Sequence, residues 1–311
     1  MDYVVEIDDL SKDYEVGFWR KKKVRALDGL SLAVQRGQIF GFLGGNGAGK
    51  TTTIKVLMTL LFPTAGTARI LGTDISDFRM HRRIGYCPEN PYFYDYLTAQ
   101  ELMNYFGELF GYDSAQRRQR SSDLLKRVGL DERDWNKQLR KFSKGMLQRV
   151  GLAQALINDP EIVFFDEPMS GLDPVGRREV RELIEDLRKT GTTVFMSTHI
   201  LSDVEALCDE VAILRNGKLS AKGTLEELLN TQSSEQIYEI SLRGISPVQL
   251  SADFPTARVS QTVGGAKIEL SNESEIDEVL RRTRMHGGSL ISVQTVRQSL
   301  EELFVEKTGA S

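Results

Sequence analysis

Gly44-Gly45-Asn46-Gly47-Ala48-Gly49-Lys50-Thr51 is the stretch that decides how this chain is read. It fits the G-x-x-x-x-G-K-[ST] pattern in the context the pattern requires. The run Gln38–Leu43 before it reads as a buried strand, and Thr52–Leu61 after it reads as a helix with an apolar face. Glycines let the backbone curl so that successive N–H groups point at phosphate oxygens, and the helix N-terminus adds its positive end. In such a loop Lys50 reaches the β/γ-phosphates and the Thr51 hydroxyl ligates Mg²⁺. The contacting set runs from Gly44 through Thr52, so a nucleoside triphosphate with Mg²⁺ is expected. A glycine-rich turn with no ligand is the alternative, and a Lys-Thr pair behind four glycines argues against it.

The alternation of strands and helices around this loop predicts an α/β fold. Strands are expected at Ala68–Leu71, Ile84–Tyr86, Ile162–Phe165, Thr193–Ser197 and Val211–Leu214, with a helix over Pro174–Lys189. A helical insertion spans Thr98–Ile157, opened by the capping box Thr98-x-x-Glu101. Asn216-Gly217 predicts a hairpin into Lys218–Lys222. Together these give a mainly parallel core sheet covered by helices. The polar stretch Asn230–Glu235 reads as a linker between a domain holding the phosphate loop, residues 1–230, and an accessory domain, residues 236–311. Beyond the linker come a strand at Tyr238–Leu242, a weak helix near Pro247–Ala252, a hairpin over Ala257–Leu270, a helix at Ser274–Arg284 and a strand at Leu290–Val296. The order β-α-β-β-α-β predicts a small α+β ferredoxin-like domain. Ser299-Leu300-Glu301-Glu302 caps a final helix.

Composition narrows the function classes. The 311 residues are 40% hydrophobic and carry a net charge of −4, so nothing global points to nucleic acid. No apolar run approaches the ~18 residues that span a bilayer, and no signal peptide is evident, so a soluble protein is expected. Cys87 and Cys208 have no metal spacing. Cys87 adjoins a loop assigned to the site, so a redox role competes with that of a structural thiol.

Ile162-Val163-Phe164-Phe165-Asp166-Glu167 reads as a buried strand ending in two carboxylates in the ligand crevice. Strand alternation would aim them differently: Asp166 at Mg²⁺, Glu167 at the attacking water. Phe142-Ser143-Lys144-Gly145-Met146 lies ahead of this strand and resembles the signature of the ATP-binding-cassette (ABC) superfamily, Leu-Ser-Gly-Gly-Gln. Ser143 and Gly145 match it; Lys144 and Met146 depart from it. The Ser-Lys-Gly-Met variant looks like the branch serving two-component exporters. Lys144 either reaches phosphate or sits in solvent.

The resemblance covers about Asp2–Leu229. Ser170-Gly171-Leu172-Asp173 resembles the D-loop, with Gly171 where Ala is frequent, and Met196-Ser197-Thr198-His199 resembles the switch-histidine motif. It implies that Tyr14 stacks on adenine and that His199 contacts the γ-phosphate. Glu89 stands where the family carries a Gln that senses Mg²⁺, and a carboxylate is itself a hard-oxygen ligand. The tail from Ser299 to Gly309 resembles the C-terminal extension of exporter subunits.

The resemblance further implies a head-to-tail dimer, of two copies or with a related ATPase subunit. Two ATPs would be sandwiched, each gripped by one subunit's loop and the other's Ser143, Gly145 and Asp173 region. Such subunits drive a transmembrane permease, here expected to be an exporter, from the cytoplasmic face of the membrane. The aromatic run Tyr92–Tyr96 would line the permease groove or pack the helical insertion. The segment from Gly17 to Arg25 would touch lipid or acidic permease loops, or be a solvated loop. The alternatives are a soluble ABC ATPase acting on ribosomes or DNA, and a nucleotide-gated regulatory module.

Overall fold

The computed structural model describes residues 2–17, 22–230 and 237–296. Most of the expected linker, residues 18–21 of the basic-aromatic loop, and the tail with its Ser299 cap lie outside the described residues. The chain divides into two compact units, one running through Leu225 and the other beginning at Glu226.

The first unit contains, in order, β1 (Tyr3–Val16), β2 (Lys22–Gln35), β3 (Ile39–Gly44), α1 (Lys50–Leu57), β4 (Ala65–Ile70), β5 (Thr73–Asp74) and β6 (Ile84–Cys87). The insertion supplies α2 (Ala99–Leu109), α3 (Ser114–Arg127) and α4 (Lys144–Ala155). Then follow β7 (Ile162–Asp166), α5 (Pro174–Lys189), β8 (Thr193–Thr198), α6 (Leu201–Leu207), β9 (Glu210–Arg215) and β10 (Lys218–Gly223), while α7 (Leu225–Asn230) spans the division.

A six-stranded sheet of order β10-β9-β3-β8-β7-β6 forms the core. It is parallel from β9 to β6. β10 adds antiparallel through the Asn216-Gly217 turn, where both residues take positive φ. Every residue of β3, β7 and β8 is buried, as strands covered on both faces require. The Phe195 ring sits 5.2–5.3 Å from those of Phe40, Phe42 and Phe164.

The segment expected at Ala68–Leu71 belongs elsewhere. It forms β4 in a separate antiparallel sheet of order β2-β1-β4-β5, with Val5 opposite Ile70. Its exposed Arg69 between buried Ala68 and Ile70 marks a strand with one wet face, which the parallel core excludes. Side chains of this second sheet and of the core sheet close over α1, with Leu27, Leu30, Ile54, Val56 and Phe164 in one cluster.

Helix α1 stops at Leu57 rather than continuing to Leu61. Thr59 takes φ +55°, and the Leu60 N–H bonds the Lys55 carbonyl while the Thr59 N–H bonds that of Val56. This is a Schellman closure with a threonine in the place glycine usually takes. The Thr98–Glu101 capping box forms as read, and a second box, Asp113–Gln116, opens α3.

The second unit contains β11 (Ile237–Arg243), α8 (Pro247–Asp253), β12 (Arg258–Thr262), β13 (Gly265–Leu270), α9 (Ile276–Met285) and β14 (Ser289–Val296). Its antiparallel sheet has the order β12-β13-β11-β14, the split β-α-β arrangement of a ferredoxin-like fold. Ile240, Leu242, Leu250, Ile268 and Val279 form its core.

Candidate nucleotide site

The loop between β3 and α1 is shaped by its glycines. Gly49 caps α1 at φ +113°, and a Cβ there would lie 2.8 Å from the Ala26 carbonyl oxygen. A Cβ on Gly44 would lie 2.9 Å from the Leu214 carbonyl oxygen. Backbone therefore passes where side chains cannot. The cavity it bounds, about 370 Å³, is lined by Gly45 through Thr52 together with Glu89, Glu167 and His199.

Lys50 is buried, and its Nζ donates to the Gly44 carbonyl at 2.7 Å and lies 3.3 Å from Glu167 Oε1. Asp166 is 1% exposed; its Oδ1 accepts from Ser197 Oγ at 2.5 Å and from Thr51 Oγ1 at 3.3 Å. Glu167 leaves the strand through a left-handed residue, φ +51°, with its N–H held by Ser197 Oγ at 3.1 Å and the Ser197 carbonyl at 3.2 Å. The divergence of the two carboxylates thus comes from this backbone reversal rather than from strand alternation, since β7 ends at Asp166. Glu167 Oε2 meets His199 Nδ1 at 2.9 Å.

Tyr14 does not line the cavity but stands beside it, its hydroxyl 3.4 Å from Thr52 Oγ1. Ser143, Gly145 and Asp173 lie outside it. Ser143 caps α4 by accepting from the Met146 N–H at 3.2 Å. Asp173 caps α5 by accepting from the Gly176 N–H at 2.8 Å. A Cβ on Gly145 would touch Leu172 Cδ2 at 3.3 Å, so these residues belong to one second cluster.

Ser197 was legible only as part of its motif; a hydroxyl in a wholly buried strand was the signal for its organising role. Gln148 carried a weaker signal. It is fully buried on α4, its Nε2 donates to the Pro168 carbonyl at 3.3 Å, and its Oε1 has no partner among the described residues. Cys87 and Cys208 are buried, and burial pushes both thiols above their usual range, which favours the structural reading of Cys87.

Larger than the phosphate cavity is a groove of about 520 Å³, floored by Met58, Thr59 and Leu60 and walled by Tyr92, Phe93, Phe106 and Phe110. Two of the rings from the Tyr92–Tyr96 run therefore line it. Tyr94 and Tyr96 pack against each other with tilted rings, centroids 5.8 Å apart, and both are well exposed. No helix among the described residues is long and apolar enough to cross a membrane.

A glycine-shaped loop at the carboxyl end of a parallel sheet, with Lys50, Asp166 and Glu167 converging on it, defines a P-loop nucleoside triphosphatase. Residues 27–170 match the family described as ABC transporter, and residues 223–308 match the "ATP-binding protein DrrA1-3-like, C-terminal domain". An ABC transporter ATP-binding protein of Synechocystis sp. is 44% identical over 305 residues, covering 98% of this chain and 84% of that protein. The bacitracin transport ATP-binding protein BcrA of Bacillus licheniformis is 33% identical over 312 residues, covering 99% and 98%. A dimeric post-hydrolysis structure of the ATP-binding cassette MJ0796 bound to ADP and Pi has a TM-score of 0.66 at 26% identity, covering 71% of this chain and 98% of that one. The chain belongs to the ABC transporter ATP-binding family, and its activity is ATP hydrolysis.

Proposed function

We propose that this chain closes head-to-tail on a second cassette, its own copy or a related subunit, around two ATPs and Mg²⁺. Closing and reopening drive an export permease, which holds the chain at the inner face of the cell membrane. The observation carrying this reading is the separation of two half-sites. The phosphate cavity holds Lys50, Glu167 and His199, whereas Ser143, Gly145 and Asp173 cluster outside it. The first half-site offers the loop N–H groups and Lys50 to phosphate, the second offers the Ser143 hydroxyl at the N-terminus of α4, and a second subunit brings one to the other.

Within the cavity the backbone of Gly45–Thr52 binds the phosphates, with Gly44 at its edge holding Lys50 through its carbonyl, and Tyr14 takes the base. Thr51 Oγ1 and Asp166 Oδ1 are two adjacent hard oxygens, a donor set that fits Mg²⁺, and Glu89 lines the cavity beside Thr51's loop. When bound, the ion neutralises charge on the β/γ-phosphate oxygens. Glu167 orients and polarises the attacking water, and His199 fixes the carboxylate from one side while Lys50 stands on the other. A triphosphate entering the loop attracts the Lys50 ammonium and frees Glu167 Oε1 for that water. The apolar groove suits a cytoplasmic segment of the permease, and a relative named for linearmycin resistance supports export.

The test uses Glu167→Gln to block turnover. MgATP should convert this variant to a dimer by light-scattering mass. Adding Ser143→Arg should leave ATP binding intact and abolish the dimer. Equal dimerisation of the single and double variants would remove Ser143 from a shared site.

A further inference from the structure

Two departures from the family pattern, Lys144 for glycine and Gly171 for alanine, fit each other in space. Lys144 is the first residue of α4, and Gly171 sits in the turn between β7 and α5 at φ +74°. A Cβ on Gly171 would lie 2.9 Å from Lys144 Cδ, 3.0 Å from Cε and 3.3 Å from Nζ. The 2.9 Å approach is closer than real Cβ atoms come and the other two are tight, so an alanine methyl here would displace the flexible lysine stem from its seat over Gly171. One residue further along each segment, the Gly145 backbone faces Leu172 Cδ2, where a Cβ would lie 3.3 Å away. At two consecutive positions, therefore, the glycine's missing side chain leaves room for a side chain of the other segment, which sets the start of α4 against the Ser170–Asp173 turn.

From this interlock we infer that Lys144 is a positioning residue, its aliphatic stem bracing the Ser170–Asp173 turn through Gly171 in the geometry the closed dimer needs. The inference rests on the head-to-tail reading above, since both segments belong to the half-site offered to the partner. The stem, not the charge, does the bracing, because the close atoms include Cδ and Cε. Lys144 thus has a task that neither of its sequence readings, phosphate ligand or solvated cation, supplied.

The experiment is a double-mutant cycle in the Glu167→Gln background. The apparent dimer constant is read by light scattering at saturating MgATP, alongside the nucleotide affinity of the monomer and its thermal melt. Lys144→Ala should weaken the dimer about tenfold, while Lys144→Met, which keeps a stem of the same length without charge, should stay within about twofold of the parent. Gly171→Ala should weaken the dimer about tenfold with Lys144 present and less than about threefold after Lys144→Ala, with monomer nucleotide affinity unchanged throughout. Strain from the positive φ is common to both backgrounds and drops out of the comparison.

Equal Gly171→Ala penalties in the two backgrounds would overturn the inference. So would a Lys144→Met variant as weak as Lys144→Ala, because charge would then be responsible. Should Gly171→Ala fail to fold, the Lys144→Ala and Lys144→Met pair decides alone. A Glu167→Gln parent that does not dimerise with MgATP overturns the dimer reading and this inference with it. A dimerising parent with no coupling overturns the inference only.

Discussion

Replacing Ser197 by alanine removes one oxygen and disturbs two groups of the site at once. Its Oγ donates to Asp166 Oδ1 at 2.5 Å and accepts from the Glu167 N–H at 3.1 Å. Asp166 is 1% exposed, so water cannot replace the lost donor, and the remaining Thr51 contact is long at 3.3 Å. A hydrogen bond to a buried charged group is worth about 1.5–3 kcal/mol, and Glu167 N–H keeps its bond to the Ser197 carbonyl. We expect Ser197→Ala to destabilise the first unit by about 2 kcal/mol, roughly a 30-fold shift in its folding equilibrium. Trp135 lies in the first unit with its indole N–H donating to the Leu130 carbonyl, so urea unfolding followed by tryptophan fluorescence reports on the right part of the molecule. In an Asp166→Asn background the same replacement should cost only about 1 kcal/mol, because the acceptor is neutral. An unchanged midpoint for Ser197→Ala, or an equal loss in the two backgrounds, would refute the claim that this hydroxyl supports the carboxylate.

Other consequences are directly measurable. Glu167→Gln should retain ATP binding and lose about 10²–10⁴-fold in turnover, whereas Lys50→Ala should lose affinity for the triphosphate; near-normal turnover of the first would free Glu167 of its role. Glu89→Gln takes one carboxylate from the cavity wall and should shift the Mg²⁺ requirement of hydrolysis, so superimposable Mg²⁺ titrations would place Glu89 beyond the ion's influence. Burial pushes the Asp203 carboxyl above its usual range against the pull of Arg177 and Arg181. Its contribution to stability is therefore full below the ordinary carboxylate pKa and declines as pH rises through the folded value. Asp203→Asn, which resembles the protonated form, should be more stable than the parent at pH 7 and converge with it near about pH 4; a less stable variant at pH 7 would contradict this. Cys87 and Cys208 should resist a thiol reagent in the native protein and both react on unfolding, and rapid native labelling would show them open to solvent.

The sequence by itself determined what depends on neighbours along the chain. The phosphate loop was legible because glycines at fixed spacing, Lys50-Thr51 and a flanking strand and helix are all local. Gly47 and Gly49 indeed adopt the positive φ that glycine permits. The Thr98–Glu101 box, the Asn216-Gly217 turn and the β-α-β-β-α-β order of the second unit were read for the same reason. Tertiary structure alone decided which strands share a sheet. β4 is short and carries one wet face, and nothing within it says that its partner is β1, some sixty residues earlier. It also decided that Glu167 diverges from Asp166 through a left-handed backbone, that Ser197 ties the two together across thirty residues, and that Lys144 lies over Gly171. Those contacts arise where separate strands and helices are brought edge to edge, so their geometry is set by the packing of the whole unit and not by the spacing of residues in any one segment.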